Sequence, residues 1–367
     1  MSTHERGWRS STGGSIAWSM VGLCLLLAGS AETLAQDTAQ EDAQIDTIRQ
    51  LGQIPASDQR RIADWVQAQV DRLAGTPAAE RQAAAIKFRS RFREQNENTS
   101  NSAAFKQQFP VQTAAVAVTQ FGNASLDSVI ARALGRVLVE LTSPETMPAL
   151  LAGLKSSDAA TRYLCAEGIA AQRTTIASDK DRLEQTIRAI REAALAETSS
   201  VVLGRLYLAL SVPPNQIGAV FETVAAILEK RLQERRGRAV IADGAEIDAY
   251  EFFRVSAALN ALNQQQKEQL VRVLAGFMRA DARRYSTPEL TFEEIDKLER
   301  MMDAEEEILT SLVGSGKGGN IRDALAGGGY ANRGEAFKQA ILWVGDAETN
   351  QPGVLSAAPW NVPVGAP

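Results

Sequence analysis

The sequence predicts an all-α protein. Its longest segments are rich in Ala, Leu, Arg, Glu and Gln, all of which are strong helix formers. Apolar residues recur along these segments at spacings of three and four, the period of a helix that buries one face. The chain has 367 residues, and one array of repeated helices can take up this length without a second domain. We therefore expect one helical array with short flanking segments.

The N-terminal residues predict an export signal. Basic side chains precede an apolar run at 16–28, and small residues follow it. This run of about 13 residues is shorter than the roughly 20 that a membrane-spanning helix needs. Residues 1–35 are therefore predicted to be a signal peptide, cleaved after Ala31 or Ala35. The mature protein is predicted to be exported, either periplasmic or secreted, with no membrane span.

Removal of the predicted signal peptide would limit the catalytic, disulfide and metal sites that the mature chain could form. The single histidine, His4, and one of the two cysteines, Cys24, lie within the predicted signal. The mature chain would keep one thiol and no imidazole, so it could form neither an internal disulfide nor a Ser-His or Cys-His pair. It would also lack the usual zinc ligands. We expect no metal and no cofactor. The net charge of −5, with acids and bases interleaved along the helices, disfavours nucleic acid as a partner.

A polar leader at 36–56, either a loose segment or one short helix, precedes the predicted helical-repeat domain at 57–313. The first helix of this domain begins at Ser57, a residue type that is typical of a helix cap. A basic run at 87–93 contains Phe88 and Phe92 one helical turn apart. This run could contact an anionic lipid or polymer. The interpretation we favour is a solvated helix face with two core phenylalanines, since basic helix faces are usually surface.

The segment 144–171 predicts two short helices joined by a tight turn. Ser143 and Pro144 are typical of an N-cap and a first helical position. Ser157 is the predicted cap of the second helix. Each helix offers an apolar stripe that a hairpin cannot bury alone, so the hairpin needs neighbours of the same kind.

The residues of this hairpin resemble a HEAT-type repeat. The matching positions are Pro148 in the first helix, Asp158 after the turn, Arg162 four residues later, and the pair Ala166 and Ile169. The resemblance covers about residues 103–282. It implies an α-solenoid, a superhelical stack of antiparallel helical hairpins, which usually presents a binding surface.

The hairpin rhythm places four helices on the inner side of such a stack, at 125–141, 158–171, 200–211 and 247–262. Inner helices of stacked repeats together build one long surface. Their outward polar positions are the predicted binding residues: Arg132, Arg136, Arg162, Glu167 and Arg254. The segment 236–246 interrupts the rhythm, either as part of the binding face or as a tolerated surface loop.

Arg205 is the sole charge of the third inner helix. The rest of that helix is apolar almost all round, which predicts burial. A buried guanidinium needs a carboxylate partner. We expect an ion pair with Glu167, Asp248 or Glu251, and a ligand contact in the inner groove is the alternative.

The C-terminal third begins with an acidic helix. Thr291 and Glu294 form a capping-box pattern at its start. A glycine-rich connector (314–332), a terminal helix (333–345) and an extended proline-containing tail (346–367) are predicted to follow. The connector is not expected to bind a nucleotide. Glycine follows Lys317 where a phosphate-binding loop has Ser or Thr, and a helix precedes the connector where that loop needs a strand.

The sequence predicts a scaffold that binds a protein or an envelope polymer, with no catalytic residues. The alternative is an exported all-α enzyme that acts on carbohydrate through paired carboxylates, because the segment 293–307 is rich in acids. Such enzymes line their clefts with aromatic side chains, whereas the mature chain would keep only the tryptophans at 65, 343 and 360. Cys165 is expected to be a small buried hydrophobe.

The export signal can be tested on the native protein. Mass spectrometry of the N-terminal peptide, purified from the native source, should show a chain that begins at Glu32 or Gln36, because cleavage follows a small residue. A native protein that still carries Met1 would contradict the prediction.

Overall fold

The computed structural model describes residues 39–235, 243–326 and 330–364, and this part of the chain is all-α. The predicted signal at 1–35 therefore lies outside the described residues. The helices are α1 (39–48), α2 (Ala56–Gly75), α3 (Arg81–Glu97), α4 (Ala103–Phe121), α5 (Ser128–Leu141), α6 (Met147–Gly153), α7 (Ala159–Ala171), α8 (Arg173–Ala177), α9 (Lys180–Ala196), α10 (Ser200–Ala209), α11 (Ile217–Arg235), α12 (Glu246–Phe253), α13 (Ser256–Ala261), α14 (Gln264–Tyr285), α15 (Phe292–Val313), α16 (Ile321–Ala326) and α17 (Tyr330–Val344).

The long helices contact one another in two rows. Row A contains α3, α5, α7, α10, α12 and α15, and each of these helices contacts the next member of the row. Row B contains α2, α4, α6, α9, α11, α14 and α17, again with each helix in contact with the next. Consecutive helices such as α4 and α5, α6 and α7, or α14 and α15 connect the two rows. The four helices predicted for the inner side overlap α5, α7, α10 and α12, which are neighbours in row A in that order.

An aromatic cluster fills the N-terminal end of the core. The Phe92 ring centroid lies 5.2 Å from that of Trp65 and 6.0 Å from that of Phe109. Phe88 and Phe92 are both buried, which confirms that the basic run 87–93 contributes two phenylalanines to the core. Arg89 on the same helix forms an ion pair with Glu140 of α5. This run is therefore a helix that packs on its neighbours.

Two predicted helix caps are wrong by one or two residues. Asp158, not Ser157, caps α7, because its Oδ2 accepts a hydrogen bond from the Thr161 N–H at 2.9 Å. Pro55, not Ser57, occupies the N-cap position of α2, and it makes no side-chain capping hydrogen bond. Asp127 caps α5, so that helix begins at Ser128 rather than at the predicted residue 125. The capping box of α15 is confirmed, since the Thr291 side chain accepts from the Glu294 N–H and the Glu294 carboxylate accepts from the Thr291 N–H. An aspartate near a serine competes successfully for the cap because its carboxylate also favours the positive end of the helix dipole.

Other predicted boundaries also differ from the structure. The polar leader contains α1, in which Ile45 and Ile48 are buried. The predicted helix 247–262 is split into α12 and α13, because Val255 adopts an extended backbone conformation. The terminal helix begins at Tyr330, three residues before its predicted start. Residues 236–242 of the predicted insertion and 327–329 of the glycine-rich connector lie outside the described residues.

Within the described ranges, no helix combines the length and the apolar composition that crossing a bilayer requires.

A close approach of three helices depends on Gly153 at the end of α6. A Cβ at this position would overlap Sγ of Cys165 on α7 and would lie 3.1 Å from Cε2 of Phe121 on α4. Cys165 is fully buried, and burial raises the pKa of its thiol to about 12. The sulfur is therefore a packed, protonated group that has no room to move away from an added methyl group.

Gly153→Ala is expected to lower the free energy of unfolding by about 1–3 kcal/mol, because a methyl group would be forced into a filled space. Gly218→Ala on α11 is the matched control, since nothing lies within 4 Å of a Cβ there. That variant should remain within about 1 kcal/mol of the original chain. Urea denaturation followed by circular dichroism measures both, and equal stability of the two variants would contradict the packing described.

Candidate functional site

A polar stripe runs across the helices of row A. Nε of Arg205 on α10 donates a hydrogen bond to the hydroxyl of Tyr163 on α7 at 2.9 Å. Asp248 of α12 lies against α10 on the other side, so close that a Cβ on Gly204 would overlap its Oδ2. Burial raises the pKa of Asp248, whereas the charges of Arg205 and of Arg300 on α15 oppose that rise. We use the name ridge for Tyr163, Arg205, Asp248 and Arg300, together with three further polar positions on helices of row A: Arg136 of α5, Glu167 of α7 and Glu251 of α12.

The burial and the partner of Arg205 differ from those predicted. It is half-buried, not buried, and its hydrogen bond goes to a tyrosine hydroxyl. Within the described residues it forms no close ion pair with Glu167, Asp248 or Glu251. Most apolar side chains of α10 are buried between α7 and α12, although Val201 is exposed, and the one charged residue of α10 lies at the edge of that contact. The expectation of a buried strut is therefore wrong, and Arg205 belongs to the surface of row A.

The two arginines of α5 that were predicted to bind a partner, Arg132 and Arg136, have different environments. Arg132 is half-buried and donates to the carbonyl and the hydroxyl of Ser128 at 3.0 and 2.9 Å, and its Nε lies 3.5 Å from Oδ2 of Asp158. Arg136 is exposed and makes no hydrogen bond or ion pair with any described residue. Of this pair, only Arg136 has its full charge available to a partner.

Arg162 connects the beginnings of two helices of row A. Its guanidinium donates two hydrogen bonds to Glu197, at 2.6 and 2.8 Å, and two more to the carbonyls of Ser156 and Ser157. Glu197 in turn accepts from the backbone N–H of Ser199, just before α10. Although burial opposes it, the bonds from Arg162 lower the pKa of Glu197. Arg162 thus has a structural role, and its part in binding stays a prediction.

The last two predicted binding residues are Glu167 and Arg254, and each is partly taken up by the fold. Glu167 is half-buried, and its Oε2 is buried without a hydrogen-bond partner in the described part of the chain. Arg254 donates to Glu307 of α15 at 2.6 Å and to Glu251 at 2.7 Å. The five predicted residues therefore all lie on helices of row A or directly after one, but they differ in how freely they could meet a partner.

Sequence reasoning missed a cluster of charged residues inside the C-terminal half. We call it the buried ion cluster, and its members are Arg231, Arg235, Asp243, Glu246, Asp281 and Glu305. Glu246 of α12 accepts from Nε of Arg231 at 2.8 Å and from Nη2 of Arg235 at 2.6 Å. Asp281 of α14 pairs with Nη1 of Arg235. The Arg231 guanidinium also donates to both oxygens of Asp243, at 2.8 Å each.

Asp281 and Glu305 are neighbouring carboxyl groups within this cluster, and the pKa of each is raised. Oδ2 of Asp281 and Oε2 of Glu305 are both buried without a hydrogen-bond partner among the described residues, which disfavours a negative charge on both groups at once. Burial, together with the negative charge of Glu246, raises the pKa of Asp281 to about 6. Burial and the neighbouring Asp281 raise the pKa of Glu305 well above its usual range. The Tyr250 hydroxyl completes the arrangement by donating to Oε1 of Glu305 at 2.9 Å.

One signal in the sequence could have revealed this cluster. Glu305 lies three residues after Met302 and four before Leu309, so it occupies a position on the inward, apolar face of α15. A carboxylate on such a face is almost always paired or protonated. Its partners, however, come from three other helices and could not be named from local spacing.

Among the residues that the structure describes, no group of histidine, cysteine or acidic side chains has the arrangement of a metal site. Comparisons with models of protein families, with curated proteins and with solved structures found no match.

The raised pKa values of Asp281 and Glu305 predict a characteristic dependence of stability on pH. In the unfolded chain these carboxyls ionise at about pH 4, whereas the folded chain keeps the proton up to about pH 6 or beyond. The folded state therefore binds more protons in this range, and the free energy of unfolding should fall as pH rises. Glu305→Gln should flatten this fall, because an amide can donate to Asp281 and accept from Tyr250 without a titrating proton.

The control is Glu293→Gln, which changes an exposed acid on the same helix, α15. It should keep the pH dependence of the original chain. Chemical denaturation between pH 5 and pH 8 measures all three proteins. An unchanged slope in Glu305→Gln would show that the carboxyl pair does not hold the proton.

Proposed function

We propose that this protein is an exported α-solenoid of antiparallel helical hairpins, similar to HEAT-repeat proteins, which binds a protein or an envelope polymer along row A. The order of contacts within each row supports this architecture, because stacked hairpins contact only their neighbours. The export signal remains an expectation from the sequence. The proposal concerns binding and includes no catalysis.

The observation that carries this proposal is the continuity of the ridge across α7, α10, α12 and α15. Tyr163, Arg205, Asp248 and Arg300 connect these four helices through one hydrogen bond and successive charge interactions. Aromatic and arginine side chains are also the residue types that contribute most energy at protein interfaces.

The free charges of the ridge suit recognition rather than folding. Arg136 and Arg300 are exposed and have no hydrogen bond or ion pair within the described residues. Surface charges of this kind steer association and select partners through complementary charge. The ridge therefore favours a partner whose contacting surface carries carboxylate or other acidic groups opposite these two arginines.

The alternative function, cleavage of carbohydrate, has less support. It needs two carboxylates that flank a substrate in an open cleft. The acids of α15 that the sequence singled out are largely engaged in the fold: Glu294 pairs with Arg284, Glu305 is buried with Asp281, and Glu306 accepts from the Ile321 N–H. These contacts give the carboxylates structural partners instead of a substrate.

The double variant Arg136→Glu, Arg300→Glu tests the proposed surface. Both side chains are exposed, so the melting temperature should stay within a few degrees of the original. Binding to the native partner should weaken at least about tenfold, because like charges across an interface cost several kcal/mol. Crosslinking capture from the envelope fraction, quantified by mass spectrometry, measures the change.

Arg188→Glu on α9 is the matched control, since this exposed arginine belongs to row B. It should capture the same partner at the original level. Equal capture by the ridge variant and the control would exclude the ridge as the docking surface.

A further inference from the structure

A cleft of about 490 Å³ lies between α11 and α14 of row B. Its apolar part includes Leu232 of α11 and Val273 of α14, and Val362 from the C-terminal segment adds to the lining. The two helices approach closely at Gly276, where a Cβ would overlap Cδ2 of Leu232. The volume lies within the range of small-molecule sites, which are mostly apolar with a few placed polar groups. The ridge belongs to row A, so this cleft is a separate surface.

Two arginines with open donors line this cleft. Arg272 and Arg279 are seven residues apart on α14, which places them on one face about 10 Å apart along the helix. Arg272 is exposed and has no hydrogen bond or ion pair with a described residue. Arg279 is half-buried. Its Nη2 donates to the Val344 carbonyl at 2.8 Å, while its Nε is buried without an acceptor.

The charge balance of the lining is positive. Glu229 is the one acid among the lining residues, and its Oε1 already accepts a hydrogen bond from Gln269 at 2.9 Å. Burial lowers the pKa of Arg279, and the nearby Arg283 lowers it further. A half-buried guanidinium that is surrounded in this way lacks the anion that usually offsets its burial.

We propose that this cleft binds an amphiphilic anion, a molecule in which a phosphate or carboxylate group is attached to a short apolar body. The guanidinium fork matches the geometry of phosphate and carboxylate oxygens, and its bonds to them are stronger than neutral hydrogen bonds. Leu232 and Val273, each less than a tenth exposed, form the apolar floor of the cleft on which the body of the ligand would pack. The same chemistry could come from a soluble metabolite or from a lipid.

Isothermal titration calorimetry with octyl phosphate tests the proposal. We expect saturable binding of one octyl phosphate molecule per chain. This binding should be at least about tenfold tighter than that of inorganic phosphate, which lacks the apolar body, and than that of octyl glucoside, which lacks the charge. Arg272→Gln and Arg279→Gln should each weaken binding about tenfold, since each removes a charge-assisted bond. Arg188→Gln, an exposed arginine on α9, should leave binding unchanged.

The results of these experiments distinguish a lipid ligand from a soluble ligand, and both from the absence of a specific site. If Arg279→Gln fails to fold because it loses the Val344 contact, Arg272→Gln decides, since that side chain contacts no described polar group. If the original chain cosediments with vesicles of anionic lipid and Arg272→Gln abolishes this cosedimentation, the ligand is a lipid. If the chain binds octyl phosphate but does not cosediment with the vesicles, the ligand is a soluble molecule. The proposal is overturned if octyl phosphate binds no more tightly than octyl glucoside, or if Arg188→Gln weakens binding as much as Arg272→Gln.

Discussion

The C-terminal half of this protein depends on two buried arginines that face four carboxyl groups, three of them buried and one, that of Asp243, half-buried. Arg235 contacts Glu246 of α12 and Asp281 of α14, so one side chain of α11 joins both rows. Removing one partner from such a cluster typically costs about 3–5 kcal/mol, because the other charge stays buried. Four acids facing two guanidiniums would leave an excess of negative charge, and the raised pKa values of Asp281 and Glu305 act against that excess. The N-terminal half instead relies on aromatic rings that pack around Trp65 in tilted arrangements.

Charged residues divide into those that hold the fold and those that remain free. Arg162 holds the starts of α7 and α10 together through Glu197, although its position relative to the turn resembles a repeat signature. Arg136, on the neighbouring helix α5, has no such partner among the described residues. Both were predicted as outward polar positions by the same spacing rule. The difference is tertiary, because it depends on whether an acid from the next helix lies within reach.

Much of the secondary structure could be predicted because its causes are local. The Thr291 and Glu294 capping box and the buried Phe88 and Phe92 follow from spacing over one helical turn. Ser157 was confused with Asp158 because two adjacent cap-forming residues compete, and the local sequence does not rank them decisively. The hydrogen bond of Arg205 to Tyr163 spans 42 positions and could not be predicted from periodicity. The cleft of row B was missed for the same reason, since its walls come from α11, α14 and the C-terminal segment.

The buried ion cluster also determines how the two proposed surfaces relate. On α12, Glu246 enters the cluster and Asp248, two residues later, belongs to the ridge. On α14, Asp281 enters the cluster and Arg279, two residues earlier, lines the cleft. Each surface therefore rests on a helix that is fixed by the same set of ion pairs. Because Arg235 bridges α12 and α14 within a close-packed interior, we expect a shift of one of these helices to be resisted by the other. Arg235 and its two carboxylates therefore help to hold the ridge and the cleft in their relative positions.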